Sequence, residues 1–406
     1  KVFLNGNIKR GKLQGNLLIK GSGDPTLASE YFVSAQHRLA EGSIEADEFY
    51  NQIILALKDK GIREIHGHII IDNSLFSTRS IPDFWIWGDI GNYYGAGLQS
   101  FCFSNNLYYL TFQPGKNIGD PAKILRTEPE LHDFTFMNEM KTGPIGSGDR
   151  GYIYSAPGMN YAIARGTIPA GVDEFTIKGS ISNPPLNTAK ELAKRLKNAD
   201  IKIKGQATVE NNPENIDYSE YTETSKFTSP ELREIIKVTN RKSVNLFAEQ
   251  IMQSAVYYTD GKRQYDDAIT GISDMLDSLK VDRSGFNIVD GSGLSRTNNV
   301  STHVFSDFLA AMSREACFDD YYQSFSIAGD KTAKGHISRF CKDQSAADNA
   351  RVKSGYIQNV RSHSGYVTAA NGRLIAFSCI ANNYSGKTSK INNLHEQICN
   401  MLANER

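Results

Sequence analysis

The C-terminal stretch that begins ARVKSGYI (residues 350–357) decides the fold. Two further segments of the same character follow it, SHSGYVTA (362–369) and LIAFSCIAN (374–382), and each predicts a strand. The next segment, KINNLHEQICNMLANE (390–405), predicts a helix. Together these segments predict an antiparallel sheet with helices packed against it.

Three further helices are predicted upstream, at PELREIIKVTN (230–240), SVNLFAEQIMQSAVYY (243–258) and THVFSDFLAAMSRE (302–315). Ser229 and Pro230 make a favourable N-cap and first-turn pair for the first of them. In the second, the apolar residues Val244, Phe247 and Ile251 recur at spacings of three and four, as on one face of a helix.

Two segments in the first half of the chain look alike. Residues 46–72 predict a helix (ADEFYNQIILALKDK), Gly61 as its C-cap and a strand (IREIHGHIIID). Residues 188–209 predict a helix (TAKELAKRLKNAD) and a strand (IKIKGQATV). The sequence between them, about 124–184, is punctuated by glycine and proline and predicts a small β module. We therefore expect one αβ domain whose halves flank an insertion.

Composition excludes several classes of protein. The 406 residues include 45 Lys+Arg and 45 Asp+Glu, a zero net charge that gives no support for a nucleic-acid partner. No apolar run approaches the length of a transmembrane helix. The five cysteines are scattered and the eight histidines do not cluster in sequence, so neither a disulfide scaffold nor a metal site is expected.

Two tripeptides about a hundred residues apart carry the chemistry. Ser243-Val244-Asn245 matches S-x-N, and Lys353-Ser354-Gly355 matches K-[ST]-G. With S-x-x-K, these are the motifs of serine DD-peptidases and penicillin-binding proteins. Either tripeptide alone is weak, because such short patterns occur by chance. The alternative interpretation of Ser243 is a helix N-cap, and that of Lys353 is an exposed lysine at a strand end.

Two further segments strengthen the match: GKLQGNLLIKGSGDPTL (11–27) and VDGSGLSRTNNVS (289–301). In this order, the four segments resemble the PBP4-like D-alanyl-D-alanine carboxypeptidase/endopeptidase family, peptidase family S13. The resemblance covers essentially the whole chain. No serine is followed by a lysine three residues on. The resemblance implies a nucleophile just upstream of Lys1, and we expect the chain as printed to form no penicillin adduct.

The resemblance implies an α+β multidomain fold. Its catalytic domain (216–406) would be a penicillin-binding-protein or β-lactamase-like transpeptidase domain, incomplete at its N-terminus. An inserted αβ domain would comprise residues 1–123 and 185–215, and it would itself carry a small β domain at 124–184.

The resemblance also implies roles for the motif residues. Ser243 would relay a proton between the nucleophile and the leaving amine, and Asn245 would hold the substrate amide. Lys353 would help to bind the terminal carboxylate of D-alanine. The alternative reading of Asn245 is an ordinary first-turn residue of a helix.

The residues after Lys353 would complete this part of the site. Ser354 would offer its hydroxyl to the carboxylate, and Gly355 would let substrate backbone lie against the strand. The backbone N–H of Tyr356 would form half of an oxyanion hole. In the 289–301 segment, we expect a tight glycine turn whose backbone is satisfied by Asp290 and Ser292.

Four residues are candidates for recognising the side chain of the stem peptide. Asp89 and Tyr94 match family positions on the inserted domain, where a carboxylate beside an aromatic ring would bind the ammonium of a diamino acid. Arg296 would meet a carboxylate on the third peptide residue, although an ordinary loop salt bridge is nearly as good a reading. Gln358 would add a hydrogen bond. Trp85 and Trp87, in the same segment as Asp89, are best read as part of a hydrophobic cluster.

The sequence thus predicts a periplasmic serine DD-carboxypeptidase/endopeptidase that acts on peptidoglycan stem peptides and is acylated by β-lactams when intact. No cofactor is implied. One alternative is a non-catalytic wall-binding protein that has lost its nucleophile, which the retention of both tripeptides disfavours. A second is an esterase of β-lactamase-like fold, for which the inserted modules would be superfluous.

Overall fold

The structure is a computed structural model, and it describes residues 1–34, 37–38, 40–332 and 335–406. The helices are Ala46–Asp59 (α1), Trp87–Ile90 (α2), Pro184–Asn198 (α3), Leu232–Lys242 (α4), Asn245–Asp260 (α5), Tyr265–Ser278 (α6), Thr302–Met312 (α7), Phe318–Ser324 (α8) and Thr388–Ala403 (α9).

The strands of the first half are Val2–Asn5 (β1), Ile8–Lys9 (β2), Lys12–Leu13 (β3), Leu17–Lys20 (β4), Val33–Ser34 (β5), His37–Arg38 (β6), Glu64–Ile65 (β7), Ile69–Asp72 (β8), Leu107–Gln113 (β9), Lys123–Glu128 (β10), Thr135–Gly143 (β11), Arg150–Tyr154 (β12), Tyr161–Pro169 (β13), Phe175–Ser180 (β14), Lys202–Ile203 (β15) and Ala207–Glu210 (β16). Those of the second half are Tyr221–Ser225 (β17), Phe286–Asn287 (β18), Asn299–Val300 (β19), Ser326–Ile327 (β20), Arg351–Ile357 (β21), Val360–Thr368 (β22) and Leu374–Asn382 (β23).

The chain divides into two compact units. The first comprises residues 1–231 and 245–267, and the second comprises residues 232–244 and 268–406. Within the described residues, no helix combines the length and apolar character that crossing a bilayer requires. The five cysteines are all free.

The first unit contains the predicted αβ repeat. β16 pairs in parallel with β8, and β15 pairs in parallel with β7, so the two similar segments lie side by side. Helices α1 and α3 bury Phe49, Ile53, Leu192 and Leu196 in the same apolar core as the sheet residue Ile71. Gly61 follows α1 with a left-handed backbone (φ +69°), as the C-cap prediction requires.

One detail of the repeat differs from the prediction. Each predicted strand is split in two: residues 62–72 form β7 and β8, and residues 201–209 form β15 and β16, with each pair divided between two sheets. The breaks fall at Gly67 and Gly205, where the chains pass very closely. A Cβ at Gly205 would lie 2.2 Å from the carbonyl oxygen of Gly67, so only glycine fits there.

The strand-rich module between the repeats has the predicted character. It consists of a β10-β9-β14 sheet and a β11-β13-β12 sheet around a shared apolar core that includes Leu110, Phe112, Met140, Ile153 and Ile168. β9, which precedes residue 124, pairs with both β10 and β14.

The second unit contains the predicted C-terminal sheet, in the order β20-β21-β22-β23 and antiparallel throughout. One face is covered by α9, whose Cys399 and Ala403 share a core with Val352 and Phe377. On the other face, Tyr366 packs in a cluster with Leu309 of α7 and Phe325.

Three histidines, none of them adjacent in sequence, form a hydrogen-bonded chain beneath the α9 face of the sheet. The Nε2 atoms of His336 and His363 are 2.8 Å apart, and the Nδ1 atoms of His363 and His395 are 2.9 Å apart. The ring of His363 is fully buried and stacks on Phe340. Burial and the charge of Arg361 lower the pKa of His336 to about 4 and that of His363 to about 2. In each contact one ring nitrogen donates and the other accepts, and the low pKa values of His336 and His363 keep their rings neutral near neutral pH.

We predict that the protein loses stability as the pH falls below about 6.5. Unfolded imidazoles take up protons from that pH downward, whereas the native rings do not until the pH is far lower. His363→Gln should lower the slope of the unfolding free energy against pH by about 1.4 kcal/mol per pH unit between about pH 6 and 4.5. Urea unfolding across this range measures the slope.

The matched control is His303→Gln, since His303 lies on α7 with an exposed side chain. This variant should keep the wild-type slope. An unchanged slope in His363→Gln would show that the buried chain takes up protons as readily as the unfolded state does.

Candidate functional site

Lys353 and Ser243, which are 110 residues apart in sequence, are in direct contact in the second unit. The ammonium of Lys353 donates to the hydroxyl of Ser243 at 2.8 Å and to the carbonyl oxygen of Ser354 at 2.7 Å. This brings the two predicted motifs together through their polar atoms. Burial and the charge of Arg361 lower the pKa of Lys353 to about 8, well below the ordinary lysine value.

Ser243 follows the last residue of α4 and has a left-handed backbone, with φ +54°. Glycine usually occupies such a position, and a side chain there costs about 1–2 kcal/mol. Helix α5 begins at Asn245, so the alternative reading of Ser243 as the N-cap of that helix is wrong. The strain of this backbone is tolerated where the hydroxyl meets Lys353, and strained residues concentrate at functional sites.

The end of α4 is fixed to α8 by two adjacent side chains in the last turn of α4, Asn240 and Arg241. Asn240 donates to the hydroxyl of the buried Ser324 at 2.7 Å, and Arg241 donates to the carbonyl oxygen of Gln323 at 2.7 Å. These contacts hold the position of Ser243 independently of Lys353.

Asn245 belongs to the first unit, where its amide donates to the carbonyl oxygen of Tyr94 at 2.8 Å. Tyr94 in turn donates from its hydroxyl to the carboxylate of Asp89 at 3.3 Å, and Asp89 is buried. Burial and the charge of Asp89 raise the pKa of Tyr94. The first unit therefore brings three predicted site residues together: Asn245, Tyr94 and Asp89.

The strand that carries Lys353 has a largely open edge. β20 pairs only with Arg351 and Val352, so within the described part of the chain no strand covers this edge from Lys353 to Ile357. Tyr356 is 63% exposed. An open edge of this kind can pair with an extended peptide, through the backbone groups that its neighbours leave free.

The remaining predicted residues of this strand lie around that edge. Ser354 is opposite His363 in the register and therefore faces away from Lys353. A Cβ on Gly355 would lie 2.5 Å from the hydroxyl of Ser362, which gives the glycine a local packing reason as well. Gln358 is exposed in the two-residue turn that joins β21 to β22.

The 289–301 loop has the predicted construction. Asp290 is buried and accepts from the backbone N–H groups of Gly293 and Ser295 and from the amide of Asn298. Ser292 accepts from the N–H of Leu294, and Gly293 has φ +77°. Arg296 is exposed on this loop.

Arg361 is a residue of this region that sequence reasoning missed. Its guanidinium is buried, donating to the carbonyl oxygen of Gly355 at 3.2 Å and to Asn392 of α9 at 2.8 Å. Among the described residues, no carboxylate forms an ion pair with it, and burial lowers its pKa. The sequence carries no signal for it, because its position opposite Tyr356 follows from the register of the hairpin. Arg361 thus links the strand that carries Lys353 to α9 and places a second positive charge near Lys353.

The comparisons with known proteins identify the family of the chain. The model of the D-Ala-D-Ala carboxypeptidase 3 (S13) family matches residues 1–405. A D-alanyl-D-alanine carboxypeptidase of Actinomadura sp. is 25% identical over 386 residues, which cover 93% of this chain and 67% of the relative.

Two solved structures are similar to the whole chain. Penicillin binding protein 4 (dacB) from Haemophilus influenzae superposes with a TM-score of 0.79 at 21% identity, covering 100% of this chain and 85% of its own. The same protein in complex with a novel β-lactam gives a TM-score of 0.73 at 19% identity and the same coverage.

The chain belongs to the D-Ala-D-Ala carboxypeptidase 3 (S13) family of serine-type carboxypeptidases. This confirms the predicted family, and the structural likeness confirms the predicted fold class.

We predict that Ser243→Gly is more stable than Ser243→Ala by about 1 kcal/mol, because glycine adopts the left-handed backbone without strain. Both variants lack the hydroxyl, so the comparison isolates the backbone. Lys242, the last residue of α4, offers the matched control. There Gly should be less stable than Ala, by up to about 1 kcal/mol. Equal stability of the two Ser243 variants would show that residue 243 is not held in the left-handed conformation.

Proposed function

We propose that this protein is a serine DD-carboxypeptidase/endopeptidase that cleaves D-Ala-D-Ala bonds of peptidoglycan stem peptides and cross-links in the periplasm, and that β-lactams acylate it. The observation that carries the proposal is the contact between Lys353 and Ser243. It supports function because two motifs that are each weak in sequence meet through their reactive atoms.

The direction of this hydrogen bond suits proton transfer. The ammonium of Lys353 can only donate, so the oxygen of Ser243 accepts from it and its own O–H remains available as a donor. In our proposal, Ser243 delivers this proton to the amine that leaves when the peptide bond breaks and takes up the proton that the attacking nucleophile gives up, so its hydroxyl is restored. Lys353 stabilises the hydroxyl oxygen and attracts the terminal carboxylate of the substrate.

The open edge of β21 supports the same proposal. An extended stem peptide would lie along Lys353–Ile357, with Gly355 allowing close approach. The N–H of Tyr356 would stabilise the negative charge on the carbonyl oxygen during acyl transfer. Asn245 would hold the substrate amide through its remaining polar atoms.

For the stem-peptide side chain, we propose Asp89 and Tyr94 as the recognition pair, with Arg296 and Gln358 as further contacts. A buried carboxylate is a strong partner for an ammonium group, because little water competes for it. A stem peptide with a diamino acid at its third position would supply such a group.

Assays with the full-length protein distinguish this proposal from a non-catalytic wall-binding protein. The enzyme should release D-alanine from a peptide that ends in D-Ala-D-Ala, and a fluorescent penicillin should label it covalently. Lys353→Met should reduce both rates by about a hundredfold or more. Lys342→Met removes an exposed lysine of the same unit and should change neither rate. A wall-binding protein would bind peptidoglycan but show neither reaction.

We predict that kcat/KM for the D-Ala-D-Ala peptide falls as the pH rises through about 8, because Lys353 loses its proton there. Arg361→Met should move this alkaline limb to higher pH, since removing a neighbouring positive charge raises the pKa of the lysine. Methionine is chosen because an apolar residue of similar length often replaces a buried charge without loss of stability.

Arg361→Lys is the control for this pH profile. It keeps the positive charge but cannot reproduce both hydrogen bonds of the guanidinium, so the limb should stay near its wild-type position. If Arg361→Met leaves the limb in place, the group that titrates is not Lys353, or Arg361 does not influence it.

We predict that Asp89→Ala lowers kcat/KM for a diaminopimelate-containing stem peptide. The loss of transition-state stabilisation should be about 1.5–3 kcal/mol, the scale of one charge-assisted hydrogen bond. Penicillin lacks the amine, so its acylation should fall much less. Asp83→Ala removes an exposed carboxylate of the same segment and should leave the ratio of the two rates unchanged. An equal fall of both rates in Asp89→Ala would show that Asp89 has only a structural role.

A further inference from the structure

Helix α2 presents two residues of opposite character on a single turn. Asp89 is buried, with 6% exposure, whereas Trp87 is 47% exposed. Trp85 is buried, as the predicted hydrophobic cluster requires, but Trp87 is not a core residue. A large exposed aromatic side chain beside a candidate binding residue is itself a candidate for contact with a ligand.

Trp87 begins a row of aromatic rings. Its ring lies 6.1 Å from that of Tyr154, at an angle of 34°, and the ring of Tyr154 lies 6.5 Å from that of Tyr152, at 36°. Tyr152 is 48% exposed. We call these three residues, Trp87, Tyr152 and Tyr154, the aromatic row.

The two elements that carry the aromatic row are held firmly together. The buried side chain of Asn92 donates to the carbonyl oxygen of Gly88 at 2.7 Å and to that of Ile153 at 3.3 Å, and it accepts from the N–H of Ile153 at 3.0 Å. Since all these contacts are made by one amide, α2 and β12 keep a fixed spacing, and the rings form a preorganised surface.

The aromatic row continues from the Asp89–Tyr94 pair. Trp87 and Asp89 lie on the same four-residue helix, and the hydroxyl of Tyr94 donates to Asp89, so the pair and the aromatic row share the element α2. The cation beside the row is already paired: Arg165 lies over the ring of Tyr154 and forms a 2.6 Å ion pair with Glu139. The groups that the row offers to a ligand are therefore aromatic faces and the phenol hydroxyls at their edges. Such a surface suits an uncharged polyhydroxylated ligand better than an anionic one.

We propose that the aromatic row binds the glycan strand of peptidoglycan, a polymer of N-acetylated amino sugars, while Asp89 and Tyr94 recognise a stem peptide of the same polymer. Sugar rings present an apolar C–H face that packs on aromatic rings, and their hydroxyl and acetamido groups can hydrogen-bond to phenols. The inference rests on the proposed function, because the stem peptide is what brings the glycan to this surface.

The first experiment measures binding without catalysis. Full-length protein is titrated with a β-1,4-linked N-acetylglucosamine tetramer, and it is cosedimented with glycan strands from which an amidase has removed the stem peptides. Trp87→Ala and Tyr152→Ala should each weaken binding by about five- to tenfold. Tyr258→Ala, which removes a 64% exposed tyrosine on α5, is the matched control and should bind as the wild type does.

The second experiment compares two substrates with the same peptide, one attached to its disaccharide and one free of sugar. Trp87→Ala should lower the ratio of their kcat/KM values by about five- to tenfold, and Tyr258→Ala should not. Thermal unfolding of each variant identifies any loss that is due to misfolding.

The outcomes separate this inference from the proposed function. If the protein hydrolyses neither peptide but binds glycan through Trp87, the aromatic row is supported and the enzymatic proposal fails. If both peptides are hydrolysed and Trp87→Ala changes neither glycan binding nor the ratio, the inference is overturned and the enzymatic proposal stands. If the wild type binds no glycan, the inference is also overturned, and a protein partner would then be the occupant to seek.

Discussion

The contact between Lys353 and Ser243 is the constraint on which the candidate chemistry depends. For the ammonium to reach the hydroxyl at 2.8 Å, β21 must be in register with β22 and α4 must end at residue 242. The backbone at Ser243 must also adopt a left-handed conformation that serine disfavours. The hydrogen bonds of Asn240 and Arg241 to α8 offset the strain of this conformation, because they stabilise the end of α4 next to Ser243.

The electrostatics around this contact are unusual, because a second positive charge, that of Arg361, lies near Lys353. Arg361 is buried behind the strand without an ion pair among the described residues. The histidine chain beside it stays neutral at ordinary pH, since burial and Arg361 hold the imidazole pKa values low. In the part of the chain that the structure describes, neither cation forms an ion pair with a carboxylate, so the carboxylate of the substrate that we propose would complement their charge.

Much of the fold could be predicted because its signals are local. The periodicity of α1 and α3, the glycine after α1 and the three successive C-terminal strands are all visible in short windows of sequence. The split of each repeat strand at Gly67 and Gly205 was not predictable, because it depends on close contact with another part of the chain. Likewise, the motifs identified Ser243 and Lys353, but Arg361 and the histidine chain emerge only from the register of β21 with β22 and the packing of α9. Residues that act through tertiary neighbours leave no pattern in a single sequence.

The lowered pKa of Lys353 connects these observations to mechanism. A pKa of about 8 places the two protonation states of Lys353 within about 1.4 kcal/mol of each other at pH 7, so the charge that we propose binds the substrate carboxylate is lost just above neutral pH. Arg361 contributes to this shift from the far side of the strand, where it leaves the open edge unobstructed. One buried cation thus fixes the strand through the carbonyl oxygen of Gly355 and also lowers the pKa of Lys353 toward neutral pH. A positive side chain on the same side of the strand as Lys353 would occupy the position of the substrate carboxylate that we propose. Because Arg361 acts from the α9 side, it leaves that position open.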